Sequence, residues 1–449
     1  MLFSPTASRR QVSHQTQGYT SNPSRLNRGY NRAPHGSTGA FYAFIARGLG
    51  RVPGTAAALV ALLAYSFLQV ALYGAFGPAA ASLFAAHLGI DAQWPAWALA
   101  AWAVITVLGL LRVDVTGKVL GVLTGLEIVV IVAEAISGLS SPAGGHLSVA
   151  TLSPSALTSA GFGAFGVLAV VAVLGFTGFE QAPVLAEEAR HPRRTIPVTT
   201  YLALGVIGVV YAGSAWAMAA HAGTSHVAAA AAQGPGLLFG LGSSLLAQAA
   251  QWLFLTSLFA AMLAFHNCTW RYAFALSREG VLPAALSRTG SNNIPKTASL
   301  AQSATGLVVI GGFALAGAQP MQDLFFDLGT TGGFGVLLLY ALTSAAVIAF
   351  FARNSRQETA WARLIAPALA FILLTAIAVL AVMHYASLLG APPGSAAAWA
   401  LPAGYAAAAA IGVAWGLVIK FRRPHTYETI GYGAHAASIQ AGAVTGTRP

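Results

Sequence analysis

Residues 161–197 read GFGAFGVLAVVAVLGFTGFEQAPVLAEEARHPRRTIP. The first half is apolar enough to lie in lipid, yet Gly175, Gly178 and Pro183 follow in close succession. Glycine inside a helix costs about 1 kcal/mol and proline about 3, so the stretch predicts a local break between two half-helices. Pro183 then falls in the first turn of the second half, where a missing N–H costs little. Irregular backbone at membrane depth is tolerated only where it is buried in protein or lines a cavity. Interrupted helices of this kind form binding sites in transporters, because their ends offer free N–H and C=O groups. The same residues also admit an unbroken helix whose small side chains serve close packing. Glu180 favours the break, since a carboxylate at membrane depth is a functional residue by default.

Outward from this stretch the chain is built of charge-free runs. Thr195 to Trp270 is 76 residues without Asp, Glu, Lys or Arg, and Leu364 to Ile419 is another 56. A bilayer core of roughly 30 Å is crossed by about 20 apolar helical residues, so each run holds two crossings. Charge-poor stretches at about 55–84, 94–111, 117–137, 161–186, 197–219, 241–267, 298–317, 328–351, 362–385 and 398–419 predict ten. They lack the apolar–polar alternation of membrane strands. Only 8% of the 449 residues are charged, against about 25% in soluble proteins, which excludes a large soluble core. The expected class is an all-α integral membrane protein.

The net charge of +11 invites a nucleic-acid reading, and its distribution removes it. All 23 Lys and Arg residues lie before the first crossing or after the second, fourth, sixth, eighth and tenth. The loops at about 85–93, 138–160, 220–240, 318–327 and 386–397 hold none. Positive loops stay cytoplasmic, so a multi-pass protein of the cell membrane with both termini cytoplasmic is expected. The same charges suit anionic lipid headgroups.

Residues 1–38 are polar, basic and rich in Ser, Asn, Gly and Pro, a composition that does not bury enough surface to fold alone. They contain no apolar signal-peptide core. Residues 39–51, GAFYAFIARGLGR, mix aromatic and apolar side chains with Arg47 and Arg51, as an interfacial helix does. The transmembrane domain is expected over 39–423 and a disordered cytoplasmic tail over 424–449. Cys268 is the single cysteine, so no intrachain disulfide forms.

Outside the predicted break, Glu127 and Glu134 are seven residues apart and share one helical face. Glu127, near mid-membrane, reads either as a proton-carrying group or as a hydrogen-bonded strut, and Glu134 reads as a strut. The loop AEEARHPRRTIP reads as an ion-paired gate through Glu187, Glu188, Arg190, Arg193 and Arg194, or as a solvated loop with ordinary topogenic charges. His266 and Asn267 read as packing or capping groups, because no His/Cys/Asp cluster has metal spacing. No Walker loop, nucleophile elbow or dinucleotide fingerprint is present, and no clustered nucleophile, acid and base marks an enzyme.

With these residues in view, GFTGFEQAPVLAEEARHPRRTIP resembles the sixth-helix signature of the amino acid–polyamine–organocation (APC) superfamily. FHNCTWRYAFALSREGVLP is similar to the family's eighth-helix ending, and GAFYAFIARGLGRVPG to its segment between helices two and three. The resemblance covers about residues 39–423. It implies a leucine-transporter-like inverted-repeat bundle that carries amino acids, with Gly175, Phe176, Thr177, Gly178 and Phe179 lining the substrate site. It implies that Glu180 stabilises the unwound segment or a gating network. Complete members have twelve helices, so the reading expects an N-terminally incomplete chain lacking helix one and most of helix two. Some relatives place a lysine in helix five that stands in for sodium; residues 119–137 carry none, only Glu127 and Glu134. No cofactor is expected, and proton or sodium coupling stays open. The functional expectation is an amino acid permease. The alternatives are a transporter of polyamines or other amines and a non-transporting remnant or accessory subunit.

Overall fold

A computed structural model describes residues 40–111, 116–148, 161–181, 191–223, 225–231, 234–289, 295–353, 358–392 and 394–432. Among these residues the regular elements are all helical. In chain order they are α1 (Ala40–Gly48), α2 (Arg51–Leu88), α3 (Trp94–Leu110), α4 (Thr116–Ser140), α5 (Gly161–Gly175) and α6 (Pro192–Ala222). There follow the short α7 (Pro235–Phe239), α8 (Ser244–Arg278), α9 (Lys296–Leu315), α10 (Leu328–Arg353), α11 (Ala366–Met383), α12 (Ala396–Arg422) and α13 (Pro424–Thr429). Eight helices among the described residues are long and apolar enough to cross a membrane. The second expected crossing falls on α3, which has 17 residues, and the fourth falls on α5, which stops at Gly175.

α2 organises the bundle. Its 38 residues span about 57 Å at 1.5 Å each, well beyond the bilayer core. In its most apolar window 61% of residues are buried, against 11% in the windows of α4, α6 and Trp361–Met383. α2 is therefore the central post, packed by α8, α10 and α12, while the other three present apolar side chains outwards. Val209 of α6 is 75% exposed and Ile372 of α11 is 61% exposed, a surface suited to hydrocarbon and not to water.

Small residues set the closeness of this packing, as they do between membrane helices generally. A Cβ on Gly332 would lie 2.7 Å from the Leu68 side chain and 2.9 Å from the Ala64 carbonyl oxygen, and one on Gly412 would lie 2.5 Å from the Ala56 Cα. α10 and α12 thus touch the α2 backbone itself. A buried polar ladder joins α2 to α9. Gln302 Nε2 donates to Gln69 Oε1 at 2.7 Å, and Gln69 Nε2 donates to the Tyr73 hydroxyl at 3.0 Å.

Two stretches differ from the sequence expectation. Residues 320–327, expected within an outer loop, form a π-helical turn that leads into α10. Asp323 closes its start by accepting the Gln319 N–H at 2.7 Å. At the other end, residues 424–432 of the expected disordered tail form α13 and a short fastening against α1. Arg47 Nε donates to the Gly431 carbonyl at 3.2 Å and Arg51 to the Glu428 carbonyl at 3.0 Å. Gly431 N–H donates to the buried Glu279 carboxylate at 2.9 Å. Polar composition misleads there because the ordering partners come from distant parts of the chain. Residues 1–39 and 433–449 lie outside the described residues.

Replacing Gly332 by leucine should force α10 off α2. Overpacking of this kind costs about 1–3 kcal/mol, and the variant should melt at lower temperature in detergent than a leucine substitution at Gly311, where a Cβ meets nothing within 4 Å.

Candidate functional site

α5 ends where the glycines predict. The N–H groups of Phe176 and Thr177 reach back only three residues, to the carbonyls of Val173 at 3.1 Å and Leu174 at 3.0 Å, so the last turn tightens before the helix stops. Gly178 then takes φ +127°, a conformation that an L side chain rarely adopts. A Cβ placed on it meets nothing within 4 Å, so open space adjoins the break. The chain resumes as one tight turn, closed by the Gln181 N–H on the Gly178 carbonyl at 3.1 Å.

Glu180 holds this shape. Its Oε2 accepts the Gly178 N–H at 2.7 Å and the Tyr340 hydroxyl at 2.7 Å, and its Oε1 accepts the Tyr65 hydroxyl at 3.3 Å. The side chain is only 5% exposed. A carboxylate so deeply buried is tolerable only when donors surround it, and these come from α2, α10 and the break. The Phe179 ring stacks on Tyr340 with centroids 5.5 Å apart, and Phe176 meets Tyr211 of α6 edge-on at 6.1 Å. Gly175 lies beneath that tyrosine, since a Cβ there would be 3.2 Å from the Tyr211 ring. The Thr177 hydroxyl is buried with no hydrogen-bond partner among the described residues.

The structure therefore brings Gly175 to Glu180 together and places Glu127 elsewhere. Glu127 Oε2 accepts the Ser257 hydroxyl of α8 at 2.9 Å. With Glu134 it lines a cavity of about 160 Å³ between α4, α7 and α8. His266 is buried, with Nε2 3.1 Å from the Ser299 hydroxyl, and Asn267 accepts the Trp270 indole N–H at 3.0 Å; both act in packing. Among the described residues no group of three or more His, Cys, Asp or Glu side chains could hold a metal. Pro183, Glu187, Glu188 and Arg190 lie outside the described residues.

Sequence reasoning missed Tyr65, Tyr340 and Tyr211. The signal for the first two was present: a membrane carboxylate needs donors, and a tyrosine within an apolar run needs a partner for its hydroxyl.

A helix interrupted beside open space, inside a bundle of apolar helices, is the setting in which the comparison with known proteins is decisive. The amino acid permease family model matches residues 32–426. The chain belongs to the amino acid permease family. Its architecture is thus an APC-type helical bundle, its membrane embedding is multi-pass, and its cargo class is amino acids or related compounds. No curated protein gives a significant match.

Removing one donor from Glu180 tests how the break is held. Hydrogen bonds to charged groups contribute about 1.5–3 kcal/mol. Tyr340→Phe, which deletes the 2.7 Å bond, should lower the melting temperature more than Tyr65→Phe, which deletes the 3.3 Å bond. Amide hydrogen exchange at 176–181 should accelerate in the same order.

Proposed function

We propose that this chain is a secondary transporter that carries an amino acid across the cell membrane by alternating access and binds it at Gly175–Phe179. The observation that supports this most is the uncoiled backbone at Phe176–Gly178, beside open space, with the Thr177 hydroxyl buried and unpartnered. Uncoiled N–H and C=O groups complement the charged ends of a zwitterion, and Phe176 and Phe179 supply apolar walls. Glu180 is already occupied by Tyr65, Tyr340 and Gly178, so its role is to keep the break in shape, not to bind cargo.

Glu127 is the coupling residue in this reading. It lies on α4 and has a single hydroxyl donor, so proton uptake and release there cost little rearrangement. The alternating placement of all 23 Lys and Arg residues supports cytoplasmic termini and insertion in the cell membrane.

The test is uptake of radiolabelled amino acids into proteoliposomes containing the purified chain. Saturable uptake of at least one is expected, and Gly178→Leu should reduce it tenfold or more. The substitution places an L residue at φ +127° and fills the adjoining space. A monodisperse chain that moves none of the amino acids is a remnant or accessory subunit, and the proposal is then wrong. An unchanged half-saturation concentration in Gly178→Leu would put the site elsewhere.

Orientation has its own check in a Cys268→Ala background. A membrane-impermeant maleimide should label His146→Cys in intact cells and His425→Cys only after permeabilisation, both positions being exposed.

A further inference from the structure

Glu134 is wholly buried, and neither carboxylate oxygen has a hydrogen-bond partner among the described residues. A buried carboxyl group without a partner is costly, and an exception to hydrogen-bond satisfaction calls for a physical cause. The neighbouring acid does not share the condition, because Glu127 accepts from Ser257 at 2.9 Å. What lies in front of Glu134 is the partly open cavity of about 160 Å³, walled mainly by apolar side chains such as Leu238, Phe239 and Phe254.

Size and charge restrict what fits. An apolar protein cavity of about 150 Å³ holds one benzene molecule, so this one takes a single compact apolar body. Its lining includes Glu127 and Glu134 and no Lys, Arg or His. A ligand carboxylate or phosphate would meet two acidic groups with nothing to offset them, whereas an ammonium meets an acceptor that lacks a donor. Amino acids and zwitterionic lipid headgroups are disfavoured on the same ground.

We propose that this cavity is a second binding site, separate from the break in α5, for a free primary amine with a compact apolar body, its ammonium paired with Glu134. The site stands on α4, α7 and α8 and does not depend on the transport reading.

The test is equilibrium binding of radiolabelled benzylamine to the full chain in phosphatidylcholine proteoliposomes at pH 7. Saturable binding is expected. Benzyl alcohol has the same ring without the charge, and L-phenylalanine has the ring with an added carboxylate; neither should displace the label at tenfold excess. Glu134→Gln, compared at equal amounts of monodisperse protein, should weaken binding tenfold or more. Vesicles of phosphatidylethanolamine should give the same affinity.

Absence of saturable binding would show that Glu134 is met by water or a proton only and overturns the proposal. Equal displacement by benzyl alcohol removes the ion pair, and displacement by L-phenylalanine moves the amine to the break. A tenfold loss of affinity in phosphatidylethanolamine makes the lipid headgroup the occupant in place of a free amine. The two competitors are read on the unsubstituted chain, so the proposal is tested even if Glu134→Gln fails to fold. Failure here leaves amino acid uptake, and its loss in Gly178→Leu, untouched.

Discussion

The carboxylate of Glu180 is the constraint on which the centre of this bundle depends. It is one negative group in an apolar interior, and the α2 and α10 tyrosines and the Gly178 N–H meet it within 3.3 Å. Each donor alone is modest. Together they let a helix stop inside the bundle, because the break is anchored to the central post on one side and to α10 on the other. Without that anchor the glycines would give only a weak helix, with no defined position for Thr177 or the phenylalanines on either side of it. The aromatic stacking of Phe179 on Tyr340 ties the same hydroxyl donor to the wall of the space, so electrostatics and shape share one residue.

Much of this was legible in the sequence, because membrane helices advertise themselves by what they exclude. Charge-free runs of 76 and 56 residues mark crossings without any appeal to long-range contact. The break was legible for a similar reason, since Gly175, Gly178 and Pro183 act on the local backbone. What surrounds Glu180 was not, because Tyr65 and Tyr340 stand 115 and 160 residues away and only tertiary packing selects them. The seven-residue spacing of Glu127 and Glu134 correctly put them on one face. Spacing alone did not tell that Ser257 of α8 satisfies one and leaves the other bare. The tail was misjudged in its first nine residues for the same physical reason, as Arg47, Arg51 and Glu279 order it from afar.

The two acidic features divide the bundle into regions of different chemistry. Around the α5 break, backbone groups and one hydroxyl are on offer and the carboxylate is spent. Between α4, α7 and α8 the carboxylates are on offer and the walls are apolar. One family fold can therefore hold a place for solutes carrying both signs of charge and another for solutes carrying only a positive one.

The fastening of residues 424–432 to α1 also bears on how the chain is made. Arg47 meets Gly431 across 384 positions of sequence, so the first described helix finds its partner only when almost the whole polypeptide has left the ribosome. Until then the Arg47 and Arg51 side chains and Tyr42 at the membrane surface lack this closing contact. Contacts that span so much chain form late in folding. Assembly of the cytoplasmic face is thereby timed to the end of translation, with the two ends of the bundle closing on each other as its final step.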